Sequence, residues 1–327
     1  MPKPVSTQST ADIAVIGECM LEVSRLPLQS QSASTGLPAS LSYGGDTLNT
    51  CVYLARQGVA VDYVTALGDD PMSDWMVAEW NKEGVGCNLV QRFENSVPGM
   101  YMINTDAHGD RSFYYWRSGS PATRLLDSDL LAEKLLADLS QYSTCYFTGI
   151  TVALYKGAAR SRFLNLLKDY RAGGGKIIFD SNYRPALWAD DDVQGCFQQV
   201  YKLTDLALPS IDDEFQVFGS STPDAVINRL HKLGVEQVVL KMGDKGCTIS
   251  FDGLKKVIAP MKITALDTTA AGDSFNAGFI AASLSGSDPV SSAHASQRLA
   301  ATVIQHRGAI IPPQAMPSIQ DNRAQVT

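Results

Sequence analysis

The chain has 327 residues, 45% of them hydrophobic and 19% charged, with a formal net charge of −7. That is enough apolar material for one large domain with its own core, and too little charge for a disordered chain. The acidic balance, with a pI near 5.1, disfavours nonspecific nucleic-acid binding.

Short apolar runs alternate with helical patterns along the chain. The first strand is expected at Ile13–Ile16, followed by an extended stretch at Cys19–Leu26 and a loop rich in Ser, Pro and Gly. A helix follows at Thr47–Gln57, where Leu48, Cys51, Val52 and Ala55 recur at helical spacing and Gly58 ends it. Then come a strand at Tyr63–Ala66 and a helix at Ser73–Glu83. Met100–Thr105 and Arg111–Trp116 read as a hairpin turning at Asp106–Asp110. Further strands are expected at Cys145–Thr148, Lys176–Asp180, Asp205–Leu208, Val238–Lys241 and Thr248–Phe251. Helices are expected at Ala158–Ala172, Pro223–Leu233, Ser274–Leu284 and Pro289–Gln305. The alternation predicts an α/β fold, a mostly parallel sheet with helices on both faces, with ligands beyond the carboxyl ends of the strands.

No apolar run is long enough to span a bilayer, and residues 1–11 lack the apolar core of a signal peptide, so a cytoplasmic protein without a membrane partner is expected. The six cysteines are scattered without a CxxC pair and read as small buried hydrophobes. The four histidines show no metal-ligand spacing.

The densest chemistry lies between Asp267 and Asp273. Five residues with small side chains, Thr268, Thr269, Ala270, Ala271 and Gly272, stand where a loop becomes a helix. Backbone N–H groups at a helix start attract anions, phosphate above all. Asp273, at that positive end, is either a helix-dipole partner or a base held beside a bound phosphate. Far away in sequence, Gly44-Gly45-Asp46 precedes the first helix, with Asn49 one turn on. Either this is a glycine turn with Asp46 as a helix cap, or it is a site where backbone approaches a ligand and Asp46 and Asn49 bind its hydroxyls.

The Asp267–Asp273 segment resembles the C-terminal signature of the ribokinase-like (PfkB) carbohydrate kinases, and Gly44–Asn49 resembles their first signature. The resemblance implies a three-layer α/β/α sandwich with a small β-sheet lid. It makes residues 12–317 one kinase domain, with the lid drawn from about 18–43 and 97–118 and flexible tails at 1–11 and 318–327. It also implies Asp273 as catalytic base and the amides of Ala270, Ala271 and Gly272 as an anion hole. Ala270 stands where the family pattern has Gly; a backbone that Ala can adopt is expected, since a left-handed one costs about 1–2 kcal/mol.

Within that family the chain is similar to the 2-keto-3-deoxygluconate kinases at Gly17–Met20, Gly44–Asn49, Tyr114–Arg117, Asn182–Pro185 and Arg307–Pro312. The implied substrate is a carboxylated sugar, phosphorylated by ATP with Mg²⁺ at its terminal hydroxyl. Gly44, Gly45, Asp46, Asn49, Tyr101, Tyr115, Arg117 and Arg184 are its implied contacts. Arg117 and Arg184 match a carboxylate in bidentate geometry. Tyr101 and Tyr115 offer a ring and a hydroxyl, or belong to a core.

For the nucleotide, the resemblance points to Ser210, Lys241, Gly243 and Gly246 together with the 270–272 loop. No Walker A pattern occurs. In the family's Asn-x-x-Glu element, linked to magnesium, Ser210 replaces Asn and Asp213 takes the Glu position; no metal ligands are assigned. A homo-oligomer through the lid is implied. The alternatives are another sugar kinase of the family, acting on fructose, ribose or a related keto-sugar acid, and a sugar- or nucleotide-sensing protein without turnover.

Overall fold

The run Ile13-Ala-Val-Ile16 forms β1 (Ile13–Ile16), with all four residues buried because the sheet around it is covered on both faces. The computed structural model describes residues 12–25, 38–105, 111–188, 192–219 and 222–317. The expected tails, the loop after Arg25 and the hairpin turn at 106–110 lie outside the described residues.

From β1 the chain enters β2 (Met20–Arg25), then β3 (Ala39–Gly44), α1 (Asp46–Arg56), β4 (Val61–Gly68), α2 (Pro71–Lys82) and β5 (Val90–Phe93). The hairpin β6 (Met100–Thr105) and β7 (Arg111–Trp116) falls where expected, and α3 (Asp129–Leu139), β8 (Thr144–Thr148) and α4 (Gly149–Leu154) follow. Next are α5 (Ala158–Ala172), β9 (Lys176–Asp180), α6 (Val193–Tyr201), β10 (Leu206–Ala207), α7 (Ile211–Phe218) and α8 (Pro223–Lys232). The chain closes with β11 (Gln237–Lys241), β12 (Cys247–Phe251), β13 (Leu254–Ile258), α9 (Ala271–Leu284) and α10 (Pro289–Val303).

Among the described residues, nine strands form the central sheet in the order β13-β12-β11-β10-β9-β8-β1-β4-β5. All neighbours pair in parallel except β11 with β12 and β12 with β13. Alternate residues of each strand feed the two halves of the core. Ile13 and Val15 pack with α1, α2, α9 and α10, whereas Ala14 and Ile16 pack with the set running from α3 to α8. This is the expected three-layer α/β/α sandwich. Five cysteines are buried within it, Cys87 is half-buried, and all six are free.

Helix starts follow from local chemistry. Asp70 accepts from the N–H groups of Met72 and Ser73 ahead of Pro71, and Asp288 does the same for Val290 and Ser291 ahead of Pro289. The start of α9 is different: Ala270 precedes it in the left-handed conformation, at φ 58° and ψ 19°, and makes no side-chain cap. This corrects the expectation of an unstrained backbone: Ala270 takes the left-handed one, at about 1–2 kcal/mol, because the loop turns sharply into α9 there. Ala270→Gly is therefore expected to raise the free energy of unfolding by about 0.5–1 kcal/mol, the strain relieved less the chain entropy Gly loses. The midpoint of a urea titration measures it.

The lid is larger than expected. A two- or three-stranded lid is what the extended stretch and the hairpin suggest, yet four strands pair in the order β3-β2-β6-β7. β3 was hidden by its composition of Ala, Ser, Leu and Tyr, and β2 joins β6 in parallel. β3 ends at Gly44 and α1 starts at Asp46, so the glycine pair is the junction between lid and body.

Candidate active site

Parallel pairing brings the carboxyl ends of β1, β8, β9 and β11 to one edge of the sheet, where α1 and α9 also begin. The ends of β8, β9 and β11 each carry a polar residue. Asp46, Thr148, Asp180, Asn182, Lys241 and Asp273 meet there, although they lie as much as 227 positions apart in sequence.

Asp273 stands in the first turn of α9, half-buried. Its Oδ2 accepts from Asn49 Nδ2 at 2.8 Å, and its backbone carbonyl accepts from Thr50 Oγ1 at 3.3 Å. Burial, reinforced by the neighbouring Asp46 carboxylate, pushes its carboxyl up to about 7, against the opposing pull of the Asn49 hydrogen bond. Asp46 is bound in turn: its Oδ2 accepts from Thr148 Oγ1 and from Asn182 Nδ2, both at 2.7 Å. Burial raises the Asp46 carboxyl too.

On the far side of Asp273, Lys241 Nζ donates to Asp180 Oδ1 at 3.0 Å and to Asn276 Oδ1 at 3.1 Å. Asn276 Nδ2 donates to Asp180 Oδ2 at 2.7 Å. A Cβ placed on Gly272 would lie 3.7 Å from Lys241 Nζ, so the ammonium flanks the start of α9. That start supplies peptide N–H groups with no intrahelical acceptor, beside a fixed cation and a carboxylate of raised pKa. The set can hold a multiply charged anion and take a proton from a hydroxyl brought next to it. Among the three amides expected to form the hole, that of Ala271 also closes a turn onto the carbonyl of Thr268 at 3.2 Å.

The other expected residues divide. Gly44 and Gly45 are glycines because of their own protein: a Cβ on Gly44 would meet the Tyr101 hydroxyl at 2.1 Å, and one on Gly45 the Glu18 carbonyl at 2.3 Å. Asn49, expected on sugar hydroxyls, gives its amide to Asp273, and its Oδ1 is buried without a partner among the described residues. Tyr101 donates its hydroxyl to Glu22, leaving its ring beside Tyr115 at 5.8 Å between centroids. Tyr115 is exposed on the lid. Arg117 is not free, being paired with the buried Glu18. Arg184 is exposed at the rim, two residues past Asn182, and donates to the carbonyl of Tyr183.

Ser210 pairs with Lys241 as an isolated bridge, but its hydroxyl caps α7 by accepting from Asp213 N. Gly243 has φ 57° with open space beside it. Gly246, at φ 87°, is needed for the turn itself, since a Cβ there would meet the Ile258 carbonyl at 2.1 Å.

The acids of α7 separate cleanly. Glu214 is fully buried between Tyr201 and Arg229, a structural ion pair facing away from the cluster. Asp213 accepts from Ser181 Oγ at 2.7 Å, and burial beside Asp180 raises its carboxyl. Among the described residues, no group of three or more His, Cys, Asp or Glu forms a metal cluster.

Asp180, Asn182, Thr148 and Asn276 were not expected at the site. Three of them lie at or just beyond strand ends, and Asn276 is one helical turn after Asp273 in an otherwise apolar segment; both positions are readable signals.

A family profile described as "pfkB family carbohydrate kinase" matches residues 10–316. The chain is 44% identical over 315 residues to a 2-dehydro-3-deoxygluconokinase of Escherichia coli strain K12, covering 94% of this chain and 99% of that one. It is 42% identical over 319 residues to a protein of the same name from Dickeya dadantii, covering 95% and 100%. Its fold matches a crystal structure of a putative ribokinase II of E. coli in complex with ATP and Mg²⁺, with a TM-score of 0.79 at 20% identity over 95% of this chain and 97% of that one. With a profile covering nearly its whole length and relatives this similar, the chain belongs to the pfkB family of carbohydrate kinases.

Proposed function

We propose that this kinase transfers the γ-phosphoryl group of ATP to the terminal hydroxyl of 2-keto-3-deoxy-D-gluconate, the compound also called 2-dehydro-3-deoxygluconate, giving 2-keto-3-deoxy-6-phosphogluconate. The observation that carries the chemistry is Asp273, a carboxylate pushed up to about 7 at an uncapped helix start. A base of that pKa holds a hydroxyl proton at neutral pH far better than an ordinary carboxylate does. The names of the relatives at 42% and 44% identity support the choice of sugar acid.

In this reading Asp273 takes the proton of the terminal hydroxyl as its oxygen attacks the γ-phosphorus. The N–H groups at the start of α9 and the Lys241 ammonium face the charge that develops on the phosphoryl oxygens. Asn49 holds Asp273 in line through its 2.8 Å hydrogen bond. Arg117 and Arg184 bind the sugar's carboxylate and nearby oxygens, with Tyr101 and Tyr115 against the sugar. Ser210, Gly243 and Gly246 lie along the nucleotide. Mg²⁺, when bound with the nucleotide, neutralises phosphate charge. Asp213, a buried hard oxygen donor beside Asp180, would help to hold it. Residues 12–317 act as one kinase domain, and the exposed Phe113, Tyr114 and Trp116 of the lid support contact with a second copy.

A coupled ATP-to-ADP assay over a sugar panel, with and without Mg²⁺, tests the reading. The sugar acid should be turned over far faster than fructose or ribose. Arg117→Ala should raise KM for the sugar acid on the order of 10–100-fold, the value of charged hydrogen bonds lost, and change a neutral sugar little. Equal losses on both would remove the carboxylate role from Arg117.

A further inference from the structure

The segment Gly17–Met20 resembles the sugar-acid kinases, yet the chemistry above makes no use of it. Glu18 follows the end of β1 and is 3% exposed. It takes a charge-assisted hydrogen bond from Arg117 Nη2, with side-chain exposures of 1% for Glu18 and 15% for Arg117. Its other oxygen, Oε1, is buried without a hydrogen-bond partner among the described residues. Two glycines let the chain close in on it: a Cβ on Gly45 would lie 2.3 Å from the Glu18 carbonyl, and one on Gly99 would lie 3.2 Å from Oε1. Glu18 is thus a rigid anchor on the body, and Arg117 is the residue at which β7 of the lid returns to that body.

An arginine has a planar fork of five donors on a flexible stem, so its value in recognising a planar carboxylate depends on the stem being held. We infer that Glu18 is the positioning residue for Arg117, clamping one edge of the guanidinium so that another edge meets the substrate's carboxylate in a set orientation. This rests on the proposed function. It deepens it by making recognition directional: the clamped pair has no net charge, so geometry rather than charge selects the sugar acid over other anions. The pair also ties the lid's return point to the strand end beneath Gly45.

The test is steady-state kinetics on Glu18→Gln, which keeps the shape and removes the charge that orients Arg117. KM for the sugar acid should rise at least tenfold, with kcat within threefold of the parent and KM for ATP unchanged. Arg117→Ala and the double variant complete the cycle, and the double should be no worse than Arg117→Ala alone. An unchanged or lowered KM in Glu18→Gln overturns the positioning role, as does a fully additive double variant. Should Glu18→Gln fail to give a cooperative melt, Glu18→Asp decides, since it keeps the charge and draws the carboxylate back from Arg117 by one methylene: a two- to fivefold rise in KM for the sugar acid supports the role, and no change overturns it. Failure of the proposed function has a different signature, in which the parent does not turn over the sugar acid, or Arg117→Ala affects the acid and its neutral amide alike.

Discussion

Asp273→Asn should lower kcat by about 10²–10⁴ while the protein still folds, because general-base catalysis is worth that much and Asn keeps the shape. KM for both substrates should stay close to the parent value, since the change removes an interaction made in the transition state. The parent's kcat/KM should fall on the acid side of about pH 7 as Asp273 takes up its proton, and the variant's residual activity should lose that limb. Stability runs the other way. The folded protein holds a proton on Asp273 from the unfolded carboxyl range up to about 7, so stability falls as pH rises across that window and the charged form is disfavoured above it. Asp273→Asn should therefore melt higher than the parent at pH 8 and nearly with it at pH 4. Near-parent turnover in this variant would remove Asp273 from the chemistry, and equal melting temperatures at both pH values would remove the burial argument.

Lys241→Met should have the other large effect, on stability and turnover together. The Lys241–Asp180 pair is buried, with side-chain exposures of 13% and 3%, and Asn276 bridges both partners. Removing the ammonium strands the Asp180 carboxylate, which costs about 3–5 kcal/mol. It also removes the cation beside the start of α9, and losing such a group costs on the order of 10²–10³ in kcat. The double variant Asp180→Asn, Lys241→Met separates the two effects. It carries no stranded charge, so most of the stability should return in a urea titration while turnover stays low. Recovery of turnover along with stability would show that Lys241 only holds the fold.

Most of the fold is written in local pattern. The runs at Ile13–Ile16 and Lys176–Asp180, the hairpin at Met100–Trp116 and the helix at Ala158–Ala172 form as their periodicity predicts, because one face of each element has a single apolar surface to bury. The strand expected over Asp205–Leu208 shortens to Leu206–Ala207, and β3, β5, β13, α3, α4, α6 and α7 come in addition. β13 is mostly exposed at a sheet edge, so its Leu-Lys-Lys-Val sequence carries no burial signal. β3 is specified by pairing with β2 rather than by its own composition.

At the site, chemistry was legible and partnership was not. Composition and spacing by themselves determined an α/β domain, an anion-attracting helix start with Asp273 in its first turn, and a glycine junction before α1. Only the tertiary structure decided that Asn49 serves Asp273, that Arg117 answers to Glu18, that Tyr101 answers to Glu22, and that Asp213 rather than Glu214 faces the cluster. It also decided that Ala270 is left-handed. The physical reason is range. Turn chemistry and amphipathic period act over a few neighbouring residues, so one stretch of chain contains them. A hydrogen bond or ion pair between residues 99 or 224 positions apart depends on how parallel strands bring their ends together. That is set by packing of the whole sheet, and no single segment records it.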